Sequence, residues 1–132
     1  SMFSRDGEMV KYAVLILILV DVILNVTGQL SLKYGMGKIG NFSLSLSTLP
    51  AVFLKAATNL PVLFGLLCYG LGFMVWLIVL SKAEVSYAYP LISLGYVFTA
   101  ILARFLFGEA VGLMRMAGIV ITCLGVFIIA RS

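Results

Sequence analysis

The sequence predicts an all-α integral membrane protein: a bundle of four transmembrane helices with a short interfacial helix between the first and the second. Three observations carry this expectation. Hydrophobic residues make up 63% of the 132 residues and charged residues 11%, against about 45–50% and about 25% in soluble domains. Mean hydropathy is +1.20. The few charges are also spaced so that apolar runs of membrane length lie between them. A water-soluble domain of this size buries only about two-thirds of the surface its unfolded chain exposes, so this much apolar surface needs lipid as its solvent. The same numbers exclude disorder, a coiled coil and a disulfide scaffold. The net charge of +4 comes from nine Lys and Arg placed singly along the chain, as juxtamembrane anchors are, so nucleic acid is not an expected partner.

The charges mark the elements in order. Residues 1–10 read as an N-terminal tail, with Ser1 before Met2 as a tag remnant. Residues 11–132 read as a single transmembrane domain. Lys11 and Lys33 bracket 21 residues with one charge inside, Asp21. Ala56 to Ser81 is an uncharged run of 26 and Val85 to Ala103 one of 19, and Glu109 and Arg131 bracket 21 residues carrying only Arg115. A helix crosses the bilayer core with about 20 residues, which predicts spans at about 11–34, 60–81, 85–107 and 111–131. Helices are expected rather than strands, because each span must satisfy its own backbone and the runs lack the alternation of a barrel strand.

Connections follow from the same reading. Lys82-Ala83-Glu84 and Gly108-Glu109-Ala110 are short turns, so the helices they join are antiparallel neighbours. Asn59 is placed to cap the second span, with Pro61 in its first turn. Gly35, Gly37 and Gly40 are expected to end the first span. In the long connection that follows, residues 42–47 alternate Phe or Leu with Ser, and Leu49, Val52, Phe53 and Ala56 recur at helical spacing with Lys55 off that face. That pattern predicts a short helix in the membrane interface, against the alternative of a plain loop. Orientation is not set by charge. One side would hold Arg5, Lys11, Lys82 and Arg131, the other Lys33, Lys38, Lys55, Arg104 and Arg115, and the positive-inside rule needs a bias. So even a count permits an antiparallel pair of identical chains.

Candidate functional residues cluster on two faces. Asp21, Asn25, Gln29 and Lys33 recur every four residues on the first span, a polar stripe about 18 Å long that drifts by about 120° around the helix. A charge near the middle of the bilayer costs at least about 2.5–3.5 kcal/mol on insertion scales. Asp21 is therefore expected to be neutralised by a proton, paired, or exposed to a wet cavity. A substrate pathway or proton site is one reading of the stripe; interhelical hydrogen bonding that holds the bundle together is the other. On the third span Tyr89, Ser93, Tyr96 and Ala100 share a face, and Pro90 frees the carbonyl of Ser86, inviting a kink. This face suits an amphipathic cavity wall, with a Pro-kinked packing helix as the alternative. Tyr69, Gly70, Gly72 and Trp76 on the second span could line the same space. Gly118, Thr122 and Gly125 on the fourth form a small-residue face for close helix contact, in a dimer or within one chain.

Enzyme signatures are absent: no G-x-S-x-G, no phosphate loop, no His, and no Cys or His cluster. Cys68 and Cys123 read as small buried hydrophobes. No cofactor or metal is implied. With Asp21 the one embedded acidic residue, this is poor material for hydrolysis or group transfer.

Ala88-Tyr-Pro-Leu-Ile-Ser-Leu94, Phe107-Gly-Glu109 and Gly118-Ile-Val-Ile-Thr-Cys-Leu-Gly-Val126 together resemble the drug/metabolite transporter superfamily, whose four-helix members include the small multidrug resistance transporters and the EamA-like proteins. With Gly28-Gln29-Leu30 and Lys33, the A-Y-P-L-x-S-L stretch is most similar to the small subunits that flip undecaprenyl-phosphate-linked aminoarabinose across the bacterial inner membrane. The resemblance covers about 100 of the residues. It implies a four-helix protomer working as a dimer, often antiparallel, with helices one to three lining the cavity and helix four making the contact. Gly118 and Gly125 match the family's helix-four glycine pair, and Tyr89 its cavity tyrosine. Aligned on Lys33, the membrane glutamate of the multidrug branch falls on Asn25, and its helix-three tryptophan on Ile92. Both departures weigh against proton/drug antiport. The expectation is a flippase for an amphipathic, lipid-linked sugar, with Asp21, Asn25 and Gln29 as cavity contacts, Lys33 meeting a phosphate near the membrane edge, and Tyr89, Ser93 and Tyr96 opposite. A proton-coupled exporter of organic cations using Asp21 and a non-transporting assembly subunit are the alternatives. Membrane lipid and a second copy, or a similar four-helix chain, are the expected partners.

Overall fold

A computed structural model describes residues 2–40 and 45–132. Its helices are α1 (Met2–Ile39), α2 (Leu49–Thr58), α3 (Leu60–Lys82), α4 (Val85–Ile92), α5 (Leu94–Phe107) and α6 (Leu113–Arg131). Four stretches are long and apolar enough to cross a membrane: Gly7–Ile39, Leu60–Lys82, Val85–Phe107 and Leu113–Arg131. The third is α4 and α5 in succession.

α1 is longer at both ends than the expected 11–34, and the anticipated tail is continuous with it. Lys11 does not end the helix. Gly35 and Gly37 do not stop it either. Gly40 does, with φ at +83°, a left-handed conformation that only glycine adopts freely. Part of the alternating 42–47 segment lies outside the described residues. α2 forms where the apolar recurrence placed it. Val52 is buried, but Phe53 turns outward, so one turn of the expected face does not meet the bundle.

α3 starts as expected. The Asn59 side chain accepts from Val62 N–H at 3.1 Å, and Pro61 lies in the first turn. Asn59 also donates to the Gly35 carbonyl at 3.2 Å, so one side chain caps α3 and ties it to α1. α3 reaches α4 through Ala83 and Glu84. α5 ends on Gly108 in the left-handed region, and α6 begins two residues later than expected.

The third span is interrupted at Ser93 rather than at Pro90 itself. Proline removes the hydrogen bond that Ser86 would accept. Three residues on, the Ser93 hydroxyl donates to the Pro90 carbonyl, and the Tyr96 amide bonds Ser93 rather than the residue before it. The chain tightens there, and α4 gives way to α5.

Packing centres on an antiparallel seam between α1 and α3. Gly28 faces Gly65: a Cβ on Gly65 would stand 2.9 Å from the Gly28 carbonyl oxygen. A Cβ on Gly35 would lie 2.6 Å from Asn59. Seven residues toward the other end Asp21 meets Gly72, and seven further Val14 and Val79 share the buried core with Val22, Val26, Ala88, Leu91 and Val126. Small residues bring the backbones together where lipid removes the usual hydrophobic drive for association. α6 is held differently. Only 6% of its apolar stretch is buried, against 28% in α1 and in α3.

Candidate substrate cavity

A cavity of about 530 Å³ opens among α1, α3, α4 and α5. α1 supplies Asp21, Asn25 and Gln29; α4 and α5 supply Tyr89 and Tyr96, with Ser93 at the bend between them. Six of the seven substrate-contact candidates therefore border one space. The seventh, Lys33, does not: it is exposed and lies outside the cavity lining. The drift of the stripe explains the difference. Asp21 is buried, Asn25 half-buried, Gln29 and Lys33 exposed, because each four-residue step overshoots a full turn by about 40°. The stripe leaves the seam, crosses the cavity and ends outside it.

Asp21 occupies two environments at once. Its side chain is 5% exposed and wedged against Gly72 in the α1/α3 seam. No hydrogen bond or ion pair to it is formed among the described residues, yet no fully enclosed side-chain oxygen or nitrogen there lacks a partner. Its oxygens therefore reach the cavity. An unpaired carboxyl at this depth is costly, and a donor or cation entering the cavity would relieve it. One turn along, Tyr69 lies over Gly28, 3.1 Å from where a Cβ would sit, and its hydroxyl donates to Asn25 Oδ1 at 3.4 Å.

Much of the remaining lining is aromatic. Trp76 and Tyr89 meet edge to face, with ring centroids 6.0 Å apart and planes at 67°. Tyr69, Phe73 and Tyr96 extend the surface. Aromatic faces with reachable hydroxyls suit a ring-shaped, polar-edged ligand. Ile92, where the multidrug branch has tryptophan, also borders the cavity; the cavity's own tryptophan comes from α3.

Of the four α3 candidates, Tyr69, Gly72 and Trp76 line the space, while Gly70 is exposed with nothing within 4 Å of its Cβ position. Ala100 is not on the lining; Thr99 is. The sequence reading missed Cys68, Phe73, Gly95 and Thr99. For Cys68 a signal existed, since Gly65, Cys68 and Gly72 form a small-residue face at helical spacing. Phe73 had none, being one apolar residue in an apolar run. Both cysteines are free; Cys68 is buried and Cys123 half-buried. No cluster of metal-ligating side chains occurs among the described residues.

Gly118, Thr122 and Gly125 stand on α6, away from the cavity. Nothing lies within 4 Å of a Cβ at either glycine, and Thr122 bonds only back to the Gly118 carbonyl, at 2.9 Å. Among the described residues both glycines are exposed and Thr122 is half-buried.

The chain is thus a multi-pass membrane protein whose first three spans border one cavity. Residues 17–131 match the EamA-like transporter family, and the chain belongs to that family. It is similar to proteins named "Probable 4-amino-4-deoxy-L-arabinose-phosphoundecaprenol flippase subunit". The ArnE subunit of Pseudomonas savastanoi pv. phaseolicola is 31% identical over 89% of this chain and 96% of its own length. The ArnF subunit of Photorhabdus laumondii is 33% identical over 86% of this chain and 93% of its own. The ArnE subunit of Pseudomonas aeruginosa is 40% identical, over 51% of this chain and 58% of that relative. In that last case the matched region spans little more than half of the relative. No solved structure matches the chain.

Proposed function

We propose that this protein is a flippase subunit that moves an amphipathic, lipid-linked amino sugar between the leaflets of a bacterial inner membrane. One observation carries the reading: Asp21, Asn25 and Gln29 border the same cavity of about 530 Å³ as Tyr89, Ser93 and Tyr96. The polar wall suits sugar hydroxyls, and the aromatic wall suits the face of a sugar ring. The unpaired Asp21 carboxyl suits an amino group, a feature that the relatives' names give their own substrate. Lys33, about 6 Å further along α1 than Gln29, is the phosphate contact in this proposal, reached as the head group leaves the cavity toward the membrane edge. Alternating access would run through a dimer joined along α6. That the relatives are named as subunits supports a similar four-helix partner over a second copy.

The test is head-group translocation in proteoliposomes carrying 4-amino-4-deoxy-L-arabinose-phosphoundecaprenol. Transport by the protein with a similar four-helix chain, lost in Asp21→Asn, is expected. No transport with any such chain, or full transport by Asp21→Asn, would refute the proposal. Asp21 also supports a second reading, proton-coupled export of organic cations. Resistance of cells to quaternary ammonium compounds that disappears in Asp21→Asn would favour that one.

A further inference from the structure

Gly72 sits where the α1/α3 seam meets the cavity, and its surroundings differ from those of the other seam glycines. A Cβ on Gly65 would strike the Gly28 backbone carbonyl at 2.9 Å and Leu32 at 2.8 Å. One on Gly35 would strike Val62 as well as Asn59. Those positions hold two backbones together. At Gly72 the only tight neighbour is one atom, Oδ1 of Asp21, at 2.7 Å, while Leu24 Cβ and Asp21 Cγ lie at ordinary contact distances of 3.7 and 3.9 Å. The vacancy at Gly72 is thus filled by a carboxyl oxygen and not by a helix.

From this contact we infer that Gly72 is a positioning residue for the cavity. Its missing side chain forms a notch that seats the Asp21 carboxyl at the edge of the cavity and holds it partly withdrawn. The inference rests on the cavity reading above, since it concerns how the cavity's one acidic group is presented. Register supports it. Asp21 stands seven residues from Gly28 on α1, and Gly72 seven from Gly65 on α3, so Asp21 takes a place that glycine takes elsewhere in the seam. A side chain can stand there only if the facing residue leaves it room. Alanine at 72 would push Oδ1 from 2.7 Å to the 3.4 Å of ordinary contact, a retreat of about 0.7 Å, and the open direction is the cavity. The seat therefore sets how far the carboxyl protrudes toward a bound ligand.

The test compares Gly72→Ala, Asp21→Ala, the double variant and Gly70→Ala in the purified full chain. Two readouts are used: thermal stability, and the rate at which dicyclohexylcarbodiimide, an apolar reagent for membrane-embedded carboxyls, modifies Asp21. Neither involves transport, so failure here is separable from failure of the flippase reading. Gly72→Ala should be modified faster than wild type and melt at lower temperature. The stability loss should vanish in the Asp21→Ala background, and Gly70→Ala should match wild type in labelling and melt no lower than wild type. If Gly72→Ala cannot be recovered folded, recovery of the double variant supports the seat and its failure overturns it. Unchanged labelling in Gly72→Ala, or a stability loss that persists without the Asp21 carboxyl, would overturn the inference.

Discussion

Asn59 makes two hydrogen bonds with one side chain, and removing it tests how the first two spans are joined. Its Oδ1 caps the Val62 N–H at 3.1 Å and its Nδ2 donates to the Gly35 carbonyl at 3.2 Å. Losing an Asn cap costs about 1 kcal/mol, and losing a part-buried hydrogen bond costs about 1 kcal/mol more. Asn59→Ala should therefore destabilise the chain by about 2 kcal/mol. Asn59→Asp separates the two terms. Aspartate keeps the cap and favours the positive helix end, but it cannot donate to Gly35, so it should fall between wild type and alanine. The measurement is equilibrium unfolding in mixed micelles, followed by far-ultraviolet circular dichroism and the fluorescence of Trp76. If Asn59→Ala stays within about 0.5 kcal/mol of wild type, the typical range for a neutral surface change, the α1–α3 tie is not a structural joint. If Asn59→Asp is as unstable as alanine, the cap has been overvalued.

Gly65→Ala should cost about 1 kcal/mol in the same assay, as overpacking of about 1–3 kcal/mol is partly offset by about 1 kcal/mol of helix propensity; Gly70→Ala, with open space at its Cβ, keeps that propensity gain and should stabilise by up to about 1 kcal/mol, and equal values for the two would refute the seam. Tyr69→Phe deletes only a long 3.4 Å bond to Asn25 and should cost less than about 1 kcal/mol of stability, while lowering head-group transport in proteoliposomes; a large stability loss with transport intact would reverse its assigned role. Gly118→Leu with Gly125→Leu should leave the single chain folded, because no atom lies within 4 Å of either Cβ position, and should abolish inter-chain crosslinking in membranes. Persistent crosslinking would place the dimer contact elsewhere.

Span number and the start of α3 were legible in the sequence because both depend on local chemistry: charge spacing, and an Asn-x-Pro cap. The helix ends were less legible. Gly35 looks like a stop signal, but its glycine serves a neighbour 2.6 Å from its Cβ position, and a stop and a close approach leave the same letter in the sequence. The cavity was legible as two separate stripes, since polar residues stand out in apolar spans. Two things were hidden. Lys33 belonged to the stripe by spacing but not by angle, because a step of four residues is not a whole turn. Asp21 showed as a polar residue but gave no sign of its partner, since what seats it is the absence of a side chain on α3, 51 positions away in the numbering.

The disposition of α6 bears on why a transporter of this size can work. No residue of α6 is among those lining the cavity; α1, α3, α4 and α5 supply them all. α6 also contributes just one residue, Val126, to the buried core. In water a helix so loosely attached would be pulled in by the hydrophobic effect, but lipid wets it equally well on every side. What holds it must be close packing, and the residues suited to that, Gly118 and Gly125, face away from its own bundle. A helix whose packing surface points outward, beside a cavity that it does not line, suits the contact proposed above. In the dimer proposed above, the three remaining spans would rock against each other while α6 stays fixed to the partner. The near-balanced Lys and Arg count fits the same arrangement, since a chain with weak orientation preference can meet a partner in either sense.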